Sequence, residues 1–204
     1  PGYGLAKTSG SGTLVLSNAS NSYTGTTAVR DGVLVARNNG SLGNSTSTVL
    51  VGGDQRIGGG TLMLASGNVG GFTMTRNMSL SGIGVAISPS TQAANQTYIL
   101  SQGALVSIGN NTISGNITTS SVTATRIAVP FGTTTMNGAL NLGAGQDLQV
   151  LGNQLGGNIP SNFIVTSQIP ASTGGIIKNG NGTMILTNNT NQNSGRVRLD
   201  GGTL

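Results

Sequence analysis

The sequence predicts an all-β chain wound as a right-handed parallel β-helix, and three observations carry that expectation. A 23-residue pattern opening Gly12-Thr13-Leu14-Val15-Leu16 returns from Gly182, and Gly12, Thr13, Leu16, Asn18, Asn21, Gly25, Gly32 and Leu34 meet identical residues 170 positions later. Short aliphatic runs of period two fill the chain between the copies, as strands with one buried face require. No window sustains the i, i+3, i+4 spacing of a helix, and glycine, 35 of 204 residues, recurs every few positions. A β-sandwich would share the short strands and Asp-Gly turns but gives no reason for the pattern to recur, whereas a solenoid repeats by construction. The strict six-residue period of left-handed solenoids is missing, which favours the right-handed form.

After a glycine-rich lead-in from Pro1 to Ser11, Leu14 and Leu16 face one side of a short strand while Thr13 and Val15 face the other. Asn18 to Asn21 makes a polar turn, and Thr27 and Val29 form a second strand. Asp31-Gly32 supplies a tight turn with positive φ, after which Leu34 and Ala36 resume the first pattern. Leu14 and Leu34 are 20 residues apart, so stacking them closes one coil. Val49 and Val51, then Thr61-Leu62-Met63-Leu64 after the glycines at Gly58 to Gly60, continue the series, with a loop expected at Gly52 to Arg56.

Further strands are expected at Phe72–Met74, Met78–Leu80, Ile83–Ile87, Tyr98–Leu100, Leu105–Ile108 and Ile113–Ile117. Pro89 and the polar stretch from Ser88 to Gln96 mark a protruding loop. Pro130 cannot donate into a ladder, which places Ala128-Val129-Pro130-Phe131 at a corner or strand start. Leu140–Leu142 and Leu148–Val150 restore the alternation, and Pro160 and Pro170 bracket a last strand at Phe163–Val165. At about 22 residues per coil the chain would make about nine coils and a rod on the order of 45 Å long.

Composition narrows the function classes. Gly, Ser, Thr and Asn make up about half of the chain, and only 6% of residues are charged, far below the roughly 25% of an ordinary soluble domain, so the surface is hydrated mainly by hydroxyls, amides and backbone. The net charge of +5 is scattered from Lys7 to Arg198 without a basic run, unlike a nucleic-acid footprint. Cysteine is absent, so no disulfide forms, and no apolar run reaches the ~18 residues of a membrane helix. The opening at Pro1 and the stop at Leu204, where the first copy continues into a strand, read as a single β-helical segment of a longer chain, residues 1–204, with motif copies at 12–36 and 182–204.

The stretch Gly12-Thr13-Leu14-Val15-Leu16, then Asn21-Ser22-Tyr23-Thr24-Gly25-Thr26-Thr27, then Asp31-Gly32-Val33-Leu34, resembles the passenger-associated repeat of bacterial autotransporters. That motif reads approximately G-x-G-T-L-x-L-S-G-x-N-x-Y-T-G-G-T-T-V-x-x-G-T-L. The first copy lacks one glycine after Thr24, and the second places Asn193, Arg196 and Arg198 where the first has Tyr23, Thr26 and Ala28. The resemblance covers about 50 residues. It implies a right-handed β-helical passenger, exported and displayed on the cell surface, whose parent chain carries a signal peptide and an outer-membrane barrel. Members of the family serve as adhesins, aggregation factors and stalks.

Catalysis needs convergent titratable groups, and the acids here are only Asp31, Asp54, Asp147 and Asp200, with no Glu, His or Cys. A Ser-His-Asp or Cys-His arrangement is excluded. Asp54 with Arg56 and Asp200 with Arg198 are the two couples a polysaccharide-active β-helix could use, and solvated charges at coil corners are the competing reading. Gly143-Ala144-Gly145-Gln146-Asp147 resembles half of a calcium-binding nonapeptide but occurs once, without a second copy to complete the oxygen shell. The Gly-x-Gly pairs at Gly2, Gly82 and Gly180 lack a third glycine at phosphate-loop spacing and are turns. Tyr3, Tyr23 and Phe131 are candidate sugar-packing aromatics, and Arg196 and Arg198 alternate onto one strand face.

The resulting expectation is a non-catalytic surface adhesin or stalk with no cofactor, no metal and no catalytic residue. Its expected partners are other copies of itself, end to end or side by side, and cell-surface or matrix components. An extracellular filament built by end-to-end coil stacking is the alternative, and an exported polysaccharide-active enzyme is a distant third.

Overall fold

The computed structural model describes residues 2–44, 46–52, 59–66, 71–87, 101–120, 122–154 and 159–204. Over these residues the chain winds through eight stacked coils of parallel strands, a parallel β-helix. The first coil holds β1 (Leu5–Lys7) and β2 (Thr13–Leu16), and the second β3 (Thr27–Val29) and β4 (Val33–Ala36). The third contributes β5 (Val49–Val51), β6 (Thr61–Ala65) and β7 (Thr73–Met74). The fourth begins with β8 (Met78–Leu80), carries the short arm β9 (Ala86–Ile87) and β10 (Ser101–Gln102), and resumes with β11 (Leu105–Ile108) and β12 (Asn111–Ile113). β13 (Ile117–Thr119) and the long β14 (Thr125–Met136) make the fifth, and β15 (Leu140–Asn141), β16 (Leu148–Leu151) and β17 (Ser161–Val165) the sixth. The last two carry β18 (Ile176–Asn179) with β19 (Thr183–Leu186), and β20 (Val197–Leu199) with a single bridge from Thr203 to Thr183.

Stacking these coils generates three sheets. The first runs β1-β3-β5-β8-β13-β15 and the second β2-β4-β6-β11-β14-β16-β18-β20. β7, β12, the second half of β14, β17 and β19 form the third. Leu14 pairs with Leu34, Leu34 with Leu62, Leu62 with Leu105 and Leu105 with Ile127, so the GTLxL prefix read in the sequence builds one aliphatic column in the second sheet. Inward residues of all three sheets, among them Val29, Leu34, Met74, Leu105, Ile127, Phe163 and Met184, meet in one thin buried core. Period two delivers every second side chain to that core, and the neighbouring coils at ~4.8 Å supply its packing partners.

Several expectations are corrected. The described residues hold eight coils where about nine are expected, and the column spacing is 43 residues between Leu62 and Leu105, with β9 and β10 among them. The lead-in contains β1, and Ile176–Asn179 is a strand that the sequence reading passed over. Ile113 and Ile117 belong to different strands on different sheets, separated by a corner at Ser114-Gly115-Asn116. Only Ala86–Ile87 of the Ile83–Ile87 run is a strand, and it pairs antiparallel with β10. Pro130 lies at a corner, as expected, but inside β14, which passes unbroken from the second sheet to the third with a register shift opposite Val106 and Ile108. One 3-10 turn, Asn39–Leu42, buries Leu42 where the second coil has no third-sheet strand. The expected strand at Tyr98–Leu100 and the loops around Asp54 and Pro89 lie outside the described residues.

The second sheet is apolar on its outer side as well. Val33, Val35, Met63, Val106, Ala128 and Leu151 form a separate buried cluster there, against which Val85 at the foot of the arm and Phe131 pack. A solenoid face exposed to water would alternate apolar and polar residues, whereas this face reads as continuous aliphatic runs because both of its sides are covered.

Candidate functional site

Among the described residues, the surface that stands out is the outer face of the third sheet. Its strands turn Asn111, Thr134, Phe163 and Met184 inward in one column, which leaves Thr112, Thr135, Ile164 and Ile185 in a neighbouring outward column, in register. Thr133, Asn162 and Thr183 form a second outward column, with Thr203 bridging to Thr183. Ranks of hydroxyl, amide and methyl groups thus repeat at the strand spacing of ~4.8 Å along the stack. No charged side chain interrupts them. The Asn162 amide donates to Thr133 Oγ1 at 3.2 Å, tying two ranks together.

The acids singled out in the sequence are spent on local contacts. Asp200 accepts from Arg198 at 2.6 Å in an exposed ion pair within one strand end. Asp147 is held by Arg196 of a later coil at 2.5 Å. Asp31 accepts the Gly32 N–H at 2.8 Å and shapes its own turn. Asp54 and Arg56 lie outside the described residues. Among the described residues no group of three His, Cys, Asp or Glu side chains approaches metal-binding geometry. Tyr23 donates to Ser41 O at 3.3 Å, Phe131 is absorbed by the outer cluster, and Tyr3 stands exposed alone, so the aromatics do not converge on a sugar platform.

Three basic residues tie turns to the stack, and two of them, Lys178 and Arg76, are buried. Lys178 is 1% exposed and occupies a core position in the second sheet, between Val150 and Leu199 in register. Its ammonium donates to the carbonyls of Asn179 at 2.9 Å and Gly180 at 2.8 Å, with those of Asn181 and Gly201 at 3.5 and 3.4 Å. Lys7 does the same in the first coil, donating to Ser9 O at 2.8 Å and Gly10 O at 2.7 Å. Each lysine is roofed by a glycine of the next coil, Gly32 over Lys7 and Gly202 over Lys178, both with positive φ and no room for a side chain. Arg76, 7% exposed, reaches from the turn before β8 to Ser47 O at 2.7 Å, to Thr27 Oγ1 at 3.2 Å and to Leu42 O, and holds the irregular side of the second coil. Burial lowers the pKa of Arg76, opposed by Tyr23, and lowers that of Lys178.

These contacts recur in both motif copies although the copies sit on different faces. In the first, β1 lies on the first sheet and β2 on the second, while in the other β18 lies on the second and β19 on the third. Asn18 and Asn188 close the same turn, each accepting a backbone N–H two residues on, at 2.9 and 2.8 Å. Gly25 packs on Gly4 and Gly195 on Gly174 with no space for a Cβ. The motif is therefore a corner and its two flanking strands, placed on any side of the coil.

A stack of parallel coils, built at both ends by the same corner unit and bare of convergent titratable groups among the described residues, belongs to the class of repeat-built β-solenoids. Residues 8–36 and 176–204 each match the passenger-associated-transport-repeat, so over these two stretches the chain is similar to the repeats of autotransporter passengers. Comparison with curated proteins and with solved structures finds no further match. The repeat is a family of passenger domains rather than a known catalytic family, and it implies an exported, cell-surface protein. Among the described residues no helix is long and apolar enough to cross a membrane.

Proposed function

We propose that this chain is a non-catalytic, surface-displayed β-helical adhesin or stalk that sticks through the outer face of its third sheet. The observation that supports this reading is the uncharged array of Thr112, Thr135, Ile164 and Ile185 beside Thr133, Asn162 and Thr183. A flat face with hydroxyl and amide partners at regular spacing and no charge to desolvate can lie against another polar, hydrogen-bonding surface at small cost. Cell-surface or matrix components and further copies of the chain are its partners in this reading. Thr112→Lys with Thr135→Lys would put two charges into the middle of the array without touching the core. Loss of binding to cells or matrix-coated surfaces, with an unchanged circular dichroism spectrum, is the expected result, and unchanged binding would move the adhesive surface elsewhere. Electron microscopy of the purified chain should give short rods, whereas continuous fibres of constant width would favour the filament reading. Release of products from pectin, alginate or host glycans would overturn the non-catalytic assignment.

A further inference from the structure

The carbonyl groups around Lys178 converge on one point from two coils. Asn179 ends β18, Gly180 and Asn181 belong to the turn that follows it, and Gly201 belongs to the coil stacked on it. An ammonium has three protons for these four oxygens, so the directional hydrogen bonds are shared and the oxygens act together as a negative lining. The lining contains no carboxylate, since the nearest acid in sequence, Asp200, is engaged by Arg198. Neutral carbonyl oxygens without carboxylates replace the hydration shell of a monovalent cation, whereas divalent cations demand charged ligands. Lys178 itself is 1% exposed, while Asn181 and the roofing Gly202 stand at the surface. A second lysine, Lys7 on another face of the solenoid, lies in the same way beneath a glycine roof, Gly32, with two turn carbonyls, Ser9 O and Gly10 O, in a more exposed setting.

We propose that the turn after Lys178 is a monovalent-cation site to which the chain supplies its own cation, and that removing the side chain turns it into a site for a free ion of ammonium size and charge, potassium in particular. The lysine then serves as a tethered ion that joins one coil to the next. Its advantage over a free ion is that the site stays occupied whatever the salt outside, as an exported protein requires.

The test compares the wild-type chain, Lys178→Ala and Lys178→Met by thermal unfolding in potassium chloride and in choline chloride of equal ionic strength. Lys178→Ala should unfold at lower temperature in choline and recover by several degrees, saturably, in potassium, since an ion that binds only the folded state stabilises it by mass action. Lys178→Met keeps the cavity filled with an uncharged chain and should be lowered equally in both salts, and the wild type should be indifferent to the choice. An equal unfolding temperature of Lys178→Ala in the two salts would overturn the proposal. Should Lys178→Ala fail to fold in either salt, Lys7→Ala carries the same comparison at the more open turn.

Discussion

Lys7 and Lys178 lie on different sheets of the solenoid, yet each ends in the carbonyls of the turn that follows it, beneath a left-handed glycine of the next coil. The equivalence is structural before it is sequential, for the two lysines are 171 residues apart while the rest of the motif repeats at 170. One extra residue in the first turn, Thr8 to Ser11 against Asn179 to Asn181, absorbs the difference.

Replacing Lys178 by Met leaves the Gly180 carbonyl without its donor, while Asn179 O keeps the Gly152 N–H at 2.9 Å. An unsatisfied buried acceptor costs about 1–3 kcal/mol, and a loss of that size, read from urea unfolding, is expected for Lys178→Met. Arg198→Ala, which removes an exposed partner of Asp200, should change stability by less than about 1 kcal/mol. Equal losses in the two variants would show that the lysine turn carries no special share of the stability.

The column Leu14, Leu34, Leu62 was legible in the sequence because the same Gly-Thr-Leu prefix precedes Leu14 and Leu62 and a 20-residue spacing leads to Leu34. β18 was not, because Lys178 stands where the pattern calls for an aliphatic, and a buried ammonium satisfied by its own turn leaves no mark in hydropathy. The expected coil number was too high because the coil between Leu62 and Leu105 takes 43 residues, β9 and β10 among them. The uncharged array on the third sheet was foreshadowed by the low charge content, but which threonines share a column depends on register, and register passes through β14, whose corner at Pro130 reads as a break. Arg76 was invisible for another reason: its partners Thr27, Leu42 and Ser47 lie 29 to 49 residues away and are mostly backbone carbonyls.

Arg76 ties the second coil's 3-10 turn to the stack, and Arg76→Met should release that segment while the sheets persist. Charged hydrogen bonds are worth roughly 1.5–3 kcal/mol, so a loss of about 3 kcal/mol is expected, together with faster trypsin cleavage after Arg37, which precedes the turn's N-cap Asn38. Arg76→Lys keeps the charge but not the planar fork that reaches Ser47, Leu42 and Thr27 at once, and should recover only part of it. A cleavage rate unchanged in Arg76→Met would place the support of the turn elsewhere.

Alkaline pH tests the burial of Lys178 directly. Burial lowers its folded pKa from the ordinary 10.5, so between the folded value and 10.5 the unfolded chain binds more protons and stability rises with pH. Below that window both states hold the proton and Lys178 contributes no slope. The stability gap between the wild type and Lys178→Met should therefore widen as pH rises toward 10.5, with Lys7 and the tyrosines common to both proteins. A constant gap would mean that the ammonium titrates as it does in water.

Glycines of three kinds separate the forces that set the coil spacing. At Gly138 a Cβ would land on the carbonyl group of Gly115 in the coil below, which is backbone and is held by the Ile117–Leu140 and Asn111–Thr134 pairings on either side. Gly138→Ala must pry those coils apart, an overpacking cost of about 3 kcal/mol. Gly10 has φ of 77° and open space around it, so Gly10→Ala pays only the left-handed backbone cost of about 1–2 kcal/mol. Gly12 has neither a positive φ nor a neighbour within 4 Å, and Gly12→Ala should be neutral or stabilising by about 0.5 kcal/mol through the unfolded chain. At about 2–4 °C per kcal/mol for a chain of this size, thermal unfolding resolves the order Gly138→Ala below Gly10→Ala below Gly12→Ala. If Gly10→Ala proved the most damaging, turn conformation rather than contact between stacked backbones would set the spacing, and the Gly25–Gly4 and Gly195–Gly174 contacts of the repeat would be consequences of the stack instead of conditions for it.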